Sequence, residues 1–218
     1  MIRGAIFDMD GTLLDSMPAW HNVAYNYLQA MGIQAPLDLG DTLFPLTSVE
    51  SARYVKETFA LSQSLDEIRK GMMHQMEVYY STRPTFKEGA EKLLRDMIQA
   101  GIPMTVASST DGYCLEIALQ KLGIYDWFRT VRSCVDIGKT KSEPDIFHLC
   151  AQDMGTRPEE TWVFEDGLYA VRTAKAAGFY TVGLYDETSH ADWPALQQEA
   201  DLSLQSLAAL NLREAQQR

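Results

Sequence analysis

Short apolar runs recur along this chain, each followed by a helical pattern, and that alternation restricts the fold more than any other feature. The runs lie at 2–8, 102–108 (IPMTVAS), 130–135, 161–165 (TWVFE) and 180–184. They are mostly apolar without clean alternation, as parallel strands covered on both faces are. Between them, Ala90, Leu93, Leu94, Met97 and Ile98 repeat at helical spacing, with Gly101 as the stop. Asp111 can cap a helix carrying Leu115, Ala118, Leu119 and Leu122, which Gly123 ends; a further helix over 168–177 ends at Gly178. Strand, helix, strand at this spacing predicts right-handed crossovers and an α/β fold, a Rossmann-like doubly wound parallel sheet.

One interval breaks the rhythm. No strand-like run lies between the first apolar run and the second. Asp15 or Ser16 can instead cap a helix with Pro18 in its first turn, running to about Met31. The stretch 34–47 holds two prolines and reads as loop, and 48–59 and 65–80 read as helices. The expectation is an all-helical cap domain at 16–82, inserted into a core made of 1–15 and 83–218.

Composition narrows the partners. The 218 residues carry a formal charge of −11, so the overall field repels nucleic acid and anionic lipid, and neither is an expected partner. An anionic substrate would need a local cation. Cys114, Cys134 and Cys150 are widely spaced and lack a Cys-x-x-Cys, which gives neither a disulfide framework nor a zinc site. No apolar stretch is long enough to span a membrane, and Asp8 and Asp10 interrupt the first apolar run, against a signal peptide. The expectation is a cytoplasmic protein, monomeric or weakly homodimeric.

In open α/β sheets ligands bind outside the carboxyl ends of the strands. Asp8 and Asp10 follow the first run, Ser108, Ser109 and Thr110 the second, Lys139 and Lys141 the third, and Glu165 and Asp166 end the fourth. Residues two apart in an extended backbone point the same way, so Asp8 and Asp10 can face one volume while Gly11 turns the chain. A plain turn accounts for Asp10 and Gly11 but leaves Asp8 unexplained. A calcium loop would need more oxygen ligands where Thr12, Leu13 and Leu14 stand. Carboxylates converging on one crevice ask for a hard divalent cation, and oxygen ligands point to magnesium. Alone, Glu165-Asp166 reads equally well as a helix cap, Lys141 as a solvated loop lysine, and Ser108 as a turn residue.

Together, AIFDMDGTLLDS, VASST, KSEPDIF and VFEDGLYAVRTAKAAGF resemble, in order and spacing, the four motifs of the haloacid dehalogenase superfamily. The branch resembled has a helical cap and includes phosphatases and β-phosphoglucomutase-like enzymes. The resemblance implies Asp8 as nucleophile, forming an aspartyl phosphate, and Asp10 as general acid and base. It implies Mg²⁺ held by Asp8, the carbonyl of Asp10, Asp166 and the neighbouring Glu165. Ser108, Ser109 and Lys141 would bind the phosphoryl group. Ser142 and Gly167 depart from the usual proline and serine. The reading is a phosphatase acting on a small phosphorylated metabolite. The rival mutase reading requires a cap histidine where Trp20 stands, with His21 one step on, about 100° round a helix. A phospho-accepting receiver module, the reading from another class, has no place for the insert. The cap would set specificity, through Trp20, His21, Arg53, Lys56 and the loop 44–48; His74 and Met72, Met73 and Met76 read as cap packing.

Overall fold

The computed structural model describes residues 2–43 and 46–215. The chain divides into two compact units. One contains the residues up to Ser16 and those from Pro84 onward; the other is Met17–Arg83.

The first unit is built on a six-stranded parallel sheet: β1 Gly4–Phe7, β2 Met104–Ser108, β3 Thr130–Ser133, β4 Thr161–Glu165, β5 Tyr180–Leu184 and β6 Leu202–Leu204, in the order β3-β2-β1-β4-β5-β6. The order reverses between β2 and β4, so β1 sits at the switch point with Phe7 paired to Val106 on one side and Phe164 on the other. All residues of β1, β2 and β4 are buried, which is why their sequences run apolar without alternation. The Phe7 and Phe164 rings stack with centroids 4.5 Å apart. Helices Asp145–Met154 and Leu168–Ala176 supply Ile146, Phe147, Ala170 and Ala174 to a core shared with Ile6 and Val163. Asp111 caps helix Gly112–Lys121, accepting from the Tyr113 N–H at 3.0 Å.

β6 was not among the sequence expectations. It is three half-buried residues at the sheet edge, paired only with β5, too short for its apolar pattern to stand out.

The second unit is helical: Met17–His21, Val23–Ala30, Leu39–Leu43, Ser48–Thr58 and Leu65–Thr82. Thr47 and Ser64 open the last two with capping boxes to Glu50 and Glu67. Two expectations are corrected. The helix expected from Ser16 to Met31 is broken at Asn22, which leaves helical geometry (φ −95°, ψ 11°) while its side chain donates to the Pro18 carbonyl at 2.8 Å. The stretch read as loop contains helix Leu39–Leu43, because Leu39 and Leu43 are one turn apart and bury against Leu28, Ala52 and Val55.

Candidate active site

The site grows from how β1 ends. The Asp8 N–H still donates to the Phe164 carbonyl at 3.0 Å, so Asp8 is held in the sheet while its carboxylate leaves it. The chain then turns: the Met9 carbonyl accepts from the Leu13 and Leu14 N–H groups, and the Gly11 N–H donates to the Leu14 carbonyl. Gly11 takes φ +85°, and a Cβ there would stand 2.4 Å from Asp166 Oδ2. Met9 is fully buried in the core, away from solvent.

Asp8 and Asp10 part company in this turn. Asp8 accepts from Lys141 Nζ, which also donates to Glu165 Oε2 at 3.2 Å; Lys141 is 2% exposed. Asp10 is bracketed by two hydroxyls, Ser16 Oγ to Oδ1 at 2.6 Å and Thr110 Oγ1 to Oδ2 at 2.7 Å. Asp166 accepts from Thr12 Oγ1 at 3.1 Å. Helix Leu168–Ala176 is preceded by Gly167 and has no side-chain cap, so Glu165 and Asp166 do not act as helix caps.

Burial pushes the carboxylates up. Asp8 is raised by desolvation, with Asp10 adding to it and Lys141 opposing. Glu165 is raised well above its ordinary value by burial and by Asp8. Asp166 is pushed up to about 7 by burial, Asp8 and Asp186, against Lys141 and Thr12. Burial opposes charge on Lys141, but Asp8 and Glu165 outweigh it and raise the ammonium. Among the described residues, Asp8, Glu165 and Asp166 form a cluster whose ligand oxygens lie within 4.8 Å of one another. One lysine faces three carboxyl groups whose charged forms burial disfavours, so a further cation is needed to hold all three ionised. An oxygen-only donor set with that need fits a hard divalent cation.

Ser108 is buried, and its Oγ accepts from the Thr110 N–H at 3.0 Å. Ser109 is exposed. Lys139 is half-exposed and pairs with Glu143 at 3.1 Å, apart from the cluster. Thr12, Ser16 and Thr110 were not singled out from the sequence as holders of the carboxylates. Their signal was present, as the closing threonines of DMDGT and SST and a serine four residues after the first.

In the helical unit, Trp20 Nε1 donates to the Tyr80 hydroxyl at 3.1 Å. His21 bonds Asp41 at 2.9 Å, and Arg53 is exposed. Lys56 Nζ donates to the Leu61 carbonyl at 3.2 Å and to the Gln63 carbonyl. His74 bonds Glu77 at 2.8 Å. Of the loop 44–48, Phe44 and Pro45 lie outside the described residues.

A family model described as haloacid dehalogenase-like hydrolase matches residues 2–178. Fructose-1-phosphate phosphatase YqaB of Escherichia coli (strain K12) is 30% identical over 191 residues, covering 82% of this chain and 94% of that protein. Hexitol phosphatase A of the same organism is 28% identical over 210 residues, 96% of this chain and 94% of that one. The crystal structure of a putative β-phosphoglucomutase from Thermotoga maritima superimposes with a TM-score of 0.84 at 21% identity, covering 98% of this chain and 99% of the other. At that identity the likeness speaks for the fold. Among the described residues no helix is long and apolar enough to cross a membrane.

Proposed function

The chain belongs to the haloacid dehalogenase-like hydrolase family, and on that premise we propose that it is a magnesium-dependent phosphatase of small phosphorylated metabolites, sugar or polyol phosphates first among them. The observation that carries the reading is the buried Lys141 ammonium bonded to both Asp8 and Glu165. It is the local cation that a chain of charge −11 needs to receive a phosphate.

An Asp8 carboxylate oxygen attacks phosphorus and the ester P–O bond breaks, leaving an aspartyl phosphate. Asp10 gives a proton to the departing alcohol oxygen, then takes one from the water that attacks the aspartyl phosphate, so that inorganic phosphate leaves and Asp8 is restored. Ser16 and Thr110 fix where the Asp10 oxygens point. Lys141, Ser108 and Ser109 hold the transferring group. Magnesium bound by Asp8, the Asp10 carbonyl and Asp166, with Glu165 beside them, would offset the repulsion between phosphate and Asp8. Trp20, His21, Arg53 and Lys56 are proposed to set substrate choice, Arg53 as the exposed cation among them.

The relatives named for fructose 1-phosphate and hexitol phosphates support this substrate class. The test is phosphate release across a panel of phosphorylated metabolites including fructose 1-phosphate, hexitol phosphates and β-glucose 1-phosphate. Isomerisation of the last without phosphate release would replace this reading by a mutase.

A further inference from the structure

The loop that carries Asp8, Asp10 and Thr12 runs into a segment paired with the one that carries Lys87. Residues 13–15 pair with 85–87: the Asp15 N–H donates to the Thr85 carbonyl at 2.9 Å, the Lys87 N–H donates to the Leu13 carbonyl at 2.9 Å, and Leu14 bridges Phe86 antiparallel. The Lys87 side chain reaches across to the end of β5. Its Nζ donates to Asp186 Oδ2 at 2.5 Å and to the Tyr185 carbonyl at 3.1 Å.

Asp186 is built to receive it. It is 4% exposed, and its other oxygen accepts from the Thr188 N–H at 2.9 Å and the Thr188 hydroxyl at 2.5 Å. Burial opposes its charge, but Lys87 and Thr188 outweigh burial and hold its carboxyl below the ordinary value. Thr12, Lys87, Leu184, Tyr185 and Ser206 line a small cavity. Thr12, Leu13 and Leu14 are fully buried, and the segment that residues 13–15 pair with is tied to the end of β5 through Lys87.

We infer that Lys87 is a positioning residue: paired with Asp186, it fixes the loop after β1 so that Thr12 holds Asp166 and Asp8 stays in register with Lys141. The inference rests on the proposed function for its kinetic consequence, and on the loop geometry alone for its effect on cation binding. Lys87 touches no reacting atom.

The test compares full-length Lys87→Met, Lys87→Arg and the double variant Lys87→Met/Asp186→Asn. Readouts are steady-state hydrolysis of p-nitrophenyl phosphate, Mn²⁺ affinity by electron paramagnetic resonance without substrate, and thermal unfolding. The double variant leaves no unpaired buried charge, so it carries the test should Lys87→Met fail to fold. A loop displaced by a fraction of an ångström should lower kcat about 10- to 100-fold with KM nearly unchanged. Mn²⁺ affinity should fall by about tenfold, the lower end of losses from ligand-supporting contacts. Lys87→Arg, which can pair with Asp186, should recover most of both. A double variant with wild-type kcat and Mn²⁺ affinity overturns the inference, as does Lys87→Arg impaired as badly as Lys87→Met. Should the wild-type protein hydrolyse no phosphomonoester, the proposed function fails by itself, and Mn²⁺ affinity still decides the role of Lys87.

Discussion

Gly11 and Asp166 meet without a side chain between them: a Cβ on Gly11 would lie 2.4 Å from Asp166 Oδ2. The turn after β1 thereby lets its backbone approach the acidic cluster, at φ +85°. Gly11→Ala adds backbone strain of about 1–2 kcal/mol and pushes Asp166 from its bond to Thr12. The variant should lose most of its activity and its divalent-cation affinity, read by phosphate release and by Mn²⁺ titration. Wild-type cation affinity would show that the close approach does not matter.

Asp10 is aimed by Ser16 and Thr110. Ser16→Ala and Thr110→Val each release one oxygen while keeping the carboxyl. A proton-transfer group contributes about 10²–10⁴-fold, so partial misalignment should cost each variant about tenfold in kcat with little change in KM. Steady-state kinetics on one sugar phosphate checks this. A rise in KM at unchanged kcat would move these hydroxyls from proton transfer to substrate binding.

Lys141 is the only cation bonded to Asp8 and Glu165 among the described residues. Lys141→Met leaves two buried carboxylates facing each other, a loss of about 3–5 kcal/mol for breaking a buried pair. The variant should unfold at markedly lower urea and release no measurable phosphate. An unfolding midpoint equal to wild type would contradict the electrostatic account of the crevice.

Asp186 gives a pH signature. Its carboxyl is held below its ordinary value of 3.8, with Lys87 and Thr188 outweighing burial. A depressed folded value contributes stability that is present above the unfolded value and lost as pH falls through the folded one. Asp186→Asn should therefore be less stable than wild type by about 1–3 kcal/mol at neutral pH. The gap should close as pH drops below about 4. Urea unfolding at pH 7 and pH 3 measures it, and a gap independent of pH would assign the loss to something other than charge.

The central sheet was legible because β1, β2 and β4 are buried on both faces and so write continuous apolar runs. β6 and helix Leu39–Leu43 were not, since three to five residues carry too little periodicity. Asp8 and Asp10 stood out because charge at the end of an apolar strand needs a reason, whereas Glu165, Asp166 and Lys141 took their roles from the resemblance of the motifs that carry them. Thr12, Ser16 and Thr110 did not, because hydroxyls beside aspartates and glycines are also ordinary turn chemistry. Lys87 and Asp186 carry no local pattern at all. Their partnership spans 99 residues and exists only once β5 lies beside β4.

The most direct measurement is phosphate release by Asp8→Asn beside wild type, with magnesium and the best substrate of the panel. Asparagine keeps the size of the side chain but cannot form the aspartyl phosphate. The account requires a folded variant with no turnover above background. Asp8→Asn protein turning over at the wild-type rate would contradict it.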